Sequence, residues 1–260
     1  MVTFTHTREL REAQFIDVDL RGARFVEADL SGVVMRAVDV SGADVDAPWL
    51  VHGGSFLVNG VDVIPFVEAA LNERFPGRAG RRAADPDGLR TAWSALESTW
   101  TETLARAATM PAGTVDVSVD GEWSFAQTLR HLILATDAWL GRGILGLEQP
   151  FHPLGLAGPG AEDDGLDTSF FTDTTPPYEE VLAVRAERVA MVRDYLGAVT
   201  TDQLDATCAN PWAPQEQETI RSCLQVILEE EWEHHRYVLR DLALIESRTD
   251  PGRDDAHARS

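Results

Sequence analysis

The sequence predicts a mixed, two-part molecule: a short solenoid at the N-terminus, followed by an all-α four-helix bundle. Three observations predict it. Apolar residues recur every fifth position through residue 45, four long stretches of helical pattern follow from residue 86, and a turn-rich charged segment separates the two regions.

Composition narrows the chemistry. The 260 residues carry 43 acidic and 22 basic side chains, a formal net charge of -21, and every basic residue is arginine. A chain without lysine has no Schiff-base nucleophile, no pyridoxal-phosphate anchor and no P-loop lysine. Its negative field repels phosphate backbones, so direct nucleic-acid binding is not expected. No window approaches the ~18 unbroken apolar residues of a membrane span, so no membrane partner is expected either. The opening MVTFTHTREL lacks a basic stretch followed by an apolar one, which assigns the protein to the cytoplasm. Cys208 and Cys223 form no CxxC pair and read as reduced, structural thiols.

Within residues 1–50, Leu10, Phe15, Leu20, Phe25, Leu30, Met35, Val40 and Val45 are spaced by five. Two positions before each lie Arg8, Ala13, Val18, Ala23, Ala28, Val33, Val38 and Ala43. The intervening residues are mostly Asp, Glu, Arg, Ser and Gly, so each unit after the first, where Arg8 stands, aims one large and one small apolar side chain inward. Units such as AQFID, VDLRG and ADLSG resemble the pentapeptide-repeat family, which implies a right-handed quadrilateral β-helix. Eight units would make about two coils, a solenoid short enough to need capping by the chain that follows.

Residues 51–85 read as a connector. Asn59-Gly60 between apolar residues signals a hairpin over 56–63, and Pro65 opens a short helix through Phe75. The bundle occupies 86–247, with helices over about 86–109, 123–142, 176–197 and 216–246. The 143–176 stretch is rich in Gly, Pro and Asp, and a loop of that length suits a lid or crossover. Residues 248–260 form a polar tail.

On the last helix, IRSCLQVILEEEWEHHRYVLRDLALI, Ile220, Leu224, Ile227, Val238, Leu242 and Ile245 project within about 40° of Glu231. The core stripe therefore runs through a carboxylate. His235 projects about 40° to one side and His234 about 60° to the other. A buried carboxylate needs a cation or a proton, and Glu and His at i, i+4 suit two ligands of one divalent ion. His131, on the helical stretch WSFAQTLRHLILATDAWL, supplies a third. The expected site is thus His131, Glu231 and His235, three protein ligands with a position left for water or substrate.

The motifs SerPheAlaGlnThrLeuArgHisLeu (124–132) and GluGluTrpGluHisHisArg (230–236) resemble the DinB/YfiT-like metal-binding bundle family over roughly residues 86–246. In that family a His on the second helix joins two ligands four apart on the fourth. The mycothiol-dependent maleylpyruvate isomerase branch is similar in using His, Glu and His. Alignment through Arg236 favours His235 over His234, leaving His234, Arg130, Trp139 and His152 as candidate pocket residues, with no general base assigned. The resemblance implies one divalent metal ion, zinc first and iron or nickel as alternatives. It also implies a low-molecular-weight thiol such as mycothiol as cosubstrate and a small electrophile as substrate. The all-arginine, alanine-rich usage fits an actinobacterial source, which would supply that thiol. The expected activity is S-transfer or isomerisation. The alternatives are a hydrolase on the same ligands, or a non-catalytic interaction module whose β-helix meets a protein partner.

Overall fold

The computed structural model describes residues 2–5, 7–158, 161–162 and 166–249. They fall into two compact units, Met1–Gly54 and Ser55–Ser260. Most of the expected polar tail, residues 250–260, lies outside the described residues, as do 159–160 and 163–165 of the long loop.

In the first unit the five-residue period becomes a corner every five residues. Glu12, Asp17, Gly22, Glu27, Gly32, Ala37 and Gly42 all take left-handed backbone, with φ between 49° and 74°. Alternate corners are hydrogen-bonded turns, closed by Ala13 N to Leu10 O, Ala23 N to Leu20 O, Val33 N to Leu30 O and Ala43 N to Val40 O. The left-handed residue sits third in each, as a type II turn requires. Asp19, Asp29 and Asp39 each accept the amide two residues on, from Arg21, Ser31 and Ser41, and set the chain up for the turn. Hydrogen bonds from Ser31 hold the Asp29 carboxyl below its ordinary range.

The expected β-helix differs in two respects. Among the described residues of this unit no β-ladder forms, and the apolar positions remain exposed, Leu20 at 47% and Phe25 at 62%. With only eight units, few apolar side chains have a stacked neighbour on both sides.

In the second unit, β1 (Leu57–Val58) and β2 (Val61–Asp62) form the hairpin around Asn59-Gly60. Both turn residues have positive φ, 51° and 82°, as a type I′ turn demands. The helix α1 (Ile64–Arg74) carries Pro65 in its first turn and ends at Phe75.

Four long helices follow: α2 (Pro86–Thr109), α3 (Phe125–Thr136), α4 (Tyr178–Ala198) and α6 (Ile220–Thr249), with the single turn α5 (Thr201–Leu204) after α4. Their starts follow from local chemistry. Asp85 caps α2 by accepting the Gly88 amide at 2.9 Å ahead of Pro86. Ser124 and Gln127 form a reciprocal capping box at α3. Beyond Thr136 the helix widens into π-type turns over Asp137–Ile144, a distortion common at functional sites.

Each of α2 and α3 packs against both α4 and α6. They share one core in which Leu89 and Leu96 of α2, Leu129 and Ile133 of α3, Val181 and Val192 of α4 and Leu224 and Ile227 of α6 are buried. A short antiparallel pair, β3 (Thr207–Ala209) and β4 (Gln217–Thr219), leads into α6. There the thiols of Cys208 and Cys223 lie 3.5 Å apart, both free, and burial pushes the Cys223 thiol up.

The capping box gives a direct check. Ser124→Ala removes the acceptor for the Gln127 amide and should lower stability by about 1 kcal/mol, read as a shifted urea midpoint with an unchanged slope.

Candidate metal centre

The core stripe of α6 does run through Glu231, which is 1% exposed. Its compensation comes from another direction than expected: Arg185 of α4 forms an ion pair with it. Burial pushes the Glu231 carboxyl up, and the guanidinium opposes that shift. The next flank of α6 faces α2. There His235 Nε2 lies 2.8 Å from Thr103 Oγ1. Thr103 donates its hydroxyl to Thr99 O, so it accepts from Nε2–H and fixes that tautomer. The ring packs edge-on against Trp100, Trp232 and Phe75. His235 is a buried, neutral core imidazole, its pKa pushed down to about 4 by burial.

The opposite flank faces α3, and it carries Glu230 and His234. Among the described residues His131, Glu230 and His234 each offer a ligand atom within 4.8 Å of the other two. Glu230 Oε2 is 3.6 Å from His131 Nε2 and 3.4 Å from His234 Nδ1. The structure thus brings His131 of the expected trio together with Glu230 and His234, and places Glu231 and His235 against Arg185 and Thr103. His234 joins the cluster itself. The physical reason is rotational: the i, i+4 spacing holds for both pairs, but only 230 and 234 lie on the flank that meets α3.

The protonation pattern follows from the partners. His131 Nδ1 lies 3.1 Å from Leu156 O, and His234 Nδ1 lies 2.9 Å from Glu230 O. A carbonyl only accepts, so each Nδ1 carries a proton, which leaves each Nε2 as the nitrogen that could ligate a metal ion. Burial pushes the His234 imidazole down to about 4, with the neighbouring His131 adding to the shift. Burial alone would raise the Glu230 carboxyl, yet His131 and His234 outweigh it and hold it below the ordinary range. The Glu230 carboxylate thus stands 3.6 Å from His131 Nε2, longer than a hydrogen bond. A bound cation would satisfy the carboxylate and both imidazoles together.

The three side chains remain partly open, 14% to 16% exposed. The Trp123 ring lies against both imidazoles, centroids 4.6 Å from His131 and 6.1 Å from His234. The sequence reading passed over Trp123, which directly precedes the helix cap. It also passed over Arg185, though Val181, Arg185, Val192 and Leu196 share one apolar stripe, and a basic residue there signals a counter-ion for Glu231.

Of the other expected pocket residues, Arg130 of α3 bonds a strap of residues 152–156 that carries His152 and Leu156. Trp139 packs at the edge of the apolar core. Gln127 is engaged in the capping box.

A family model for the DinB superfamily matches residues 95–238, more than half of the chain and all three clustered residues. The chain belongs to the DinB superfamily. A pentapeptide-repeat model matches residues 9–46 in eight copies, ahead of the DinB domain. No curated protein matches the chain, and no solved structure does.

Two outcomes separate this site from the expected one. Glu231→Ala strands Arg185 in the core of the DinB domain and should cost about 3–5 kcal/mol, whereas Glu230→Ala, on a partly open flank, should cost less than about 1 kcal/mol; chemical denaturation of both variants measures the difference. The second concerns His235. Its folded pKa lies below the ordinary 6.5, so between about 6.5 and 4 the unfolded chain binds a proton that the folded chain does not. Stability of chelator-treated protein should therefore fall as pH drops through that window. His235→Phe should reduce the slope, leaving the share that His234 contributes over the same window; an unchanged slope would contradict the assignment.

Proposed function

We propose that this DinB-superfamily protein binds one divalent metal ion through His131, Glu230 and His234, and uses it to activate a small nucleophile. The observation that supports it most strongly is the mutual orientation of the three groups. Two imidazoles, each anchored through Nδ1 to a carbonyl, stand beside one carboxylate. Two nitrogens and one oxygen suit zinc, with iron and nickel served by the same donors, and three protein ligands leave a position for a further molecule.

When bound, such an ion supplies a lowered pKa to a coordinated thiol or water. The protein's own residues do the rest. Leu156 O and Glu230 O hold the rings in the ligating tautomer, and Trp123 forms an aromatic wall beside both.

The finer reading is a low-molecular-weight-thiol-dependent S-transferase or isomerase acting on a small electrophile, with mycothiol as the candidate thiol. It is supported by the order of ligand types, His then Glu then His, which resembles the mycothiol-dependent maleylpyruvate isomerase branch.

Elemental analysis of untagged protein tests the site. The expected result is about one zinc, iron or nickel per chain, lost in His131→Ala, Glu230→Ala and His234→Ala but kept in His235→Phe. A metal-free protein, even after reloading, would overturn the proposal. The reaction is tested by consumption of model electrophiles by metal-loaded protein with and without added thiol. Turnover that depends on thiol is expected; turnover that ignores it points to hydrolysis.

A further inference from the structure

We propose that Arg130 is a positioning residue for the metal centre: its guanidinium pins the strap of residues 152–156, whose Leu156 carbonyl holds the ring of His131. The inference rests on the metal-binding reading above and adds a component to it.

Arg130 lies on α3 next to His131 and is only 6% exposed. Its guanidinium is spent on backbone carbonyls. Nε donates to Leu154 O at 2.9 Å, and Nη2 donates to Thr172 O at 3.2 Å and more weakly to Gly155 O at 3.5 Å. Its own carbonyl accepts the Leu156 amide at 3.2 Å. Side chain and backbone of one residue thus grip the strap on both sides of Gly155. Burial lowers the pKa of the guanidinium, so this placement opposes the charge it carries, and a neutral side chain would fill the space with less desolvation. What the charge gives in return is three carbonyl contacts from one planar group, a geometry lysine does not offer.

The strap is also fixed farther along the same helix. His152 donates its amide to Asp137 Oδ2 at 2.8 Å, in the π-type segment, and Arg188 of α4 holds Asp137 at 2.6 Å. Within the strap, Leu154 donates to His152 Nδ1 and Gly155 to His152 O. Gly155 is packed so closely that an added Cβ would lie 3.0 Å from the Phe171 ring, 3.1 Å from His152 O and 3.4 Å from Leu134 of α3. The next carbonyl along, Leu156 O, accepts the Nδ1 proton of His131. A metal-ligating histidine depends on that kind of partner for ring orientation and tautomer, and losing it commonly costs roughly 10–100-fold in metal affinity.

The experiment is zinc affinity by competition with a chromophoric chelator, together with the absorption spectrum of the cobalt(II)-loaded protein. Wild type, Arg130→Met, Arg130→Lys, Gly155→Ala and the exposed control Arg193→Met are compared. The expected result is a zinc affinity lowered roughly 10–100-fold in Arg130→Met and Gly155→Ala, with an altered cobalt spectrum, partial recovery at most in Arg130→Lys, and no change in the control. In a His131→Ala background, Arg130→Met should add little, because the effect is routed through that ring. Gly155→Ala displaces the strap without touching Arg130, so the inference stays testable should Arg130→Met fail to fold. Wild-type affinity and spectrum in folded Arg130→Met or Gly155→Ala would overturn it. Failure of the wild-type protein to bind metal would instead overturn the reading beneath it, and the first titration shows that before any variant is made.

Discussion

The neutralisation of the acidic run on α6 governs the rest of the architecture. Its apolar stripe draws Glu229, Glu230, Glu231 and Glu233 out of bulk water, and each carboxylate must then meet a cation. Three of them meet arginine. Arg78 binds Glu233 at 3.0 Å, Arg81 approaches Glu229 at 3.8 Å, and Arg185 pairs with Glu231. Glu68 of α1 bridges Arg78 and Arg81, so the segment before the bundle is fastened to α6 through the same network. Glu230 is the exception. It lies beside His131 and His234 rather than beside an arginine. That exception marks the candidate metal centre, and the arginines beside it fix the rotation of the helix that presents it.

Much of this was legible in the sequence. The boundaries of α2, the Asn59-Gly60 hairpin and the Pro65 helix follow from caps, turn residues and period, all of them local. The buried carboxylate at Glu231 was also legible, because the projection depends only on the spacing of Ile227, Val238 and Leu242. Its partner was not. Whether a guanidinium or a metal ion compensates a buried carboxylate depends on which helix lies opposite, and two candidate pairs, 230/234 and 231/235, differ by one residue, about 100° of rotation. The family motif shares that ambiguity, since consecutive glutamates and consecutive histidines align in either register.

The repeat shows the complementary case. Its corner every fifth residue is a local property, set by Asp side chains and left-handed positions, and it survives in the structure. An apolar interior is a collective property that needs stacked coils, and eight units supply few of them. The long loop likewise read only as Gly- and Pro-rich. Its role emerges from Gly155 lying against α3 and from two hydrogen bonds, Arg130 to Leu154 and His131 to Leu156, that join residues 24 and 25 apart.

The proposed divalent ion belongs between α3 and α6, on the flank of α6 that carries Glu230 and His234. Anomalous diffraction from crystals soaked in zinc, collected on either side of the zinc edge, tests it most directly. One peak per chain is expected, within about 2.0–2.2 Å of a nitrogen of His131, a nitrogen of His234 and a carboxylate oxygen of Glu230. A peak bound by Glu231 and His235, with Arg185 and Thr103 displaced, would contradict it.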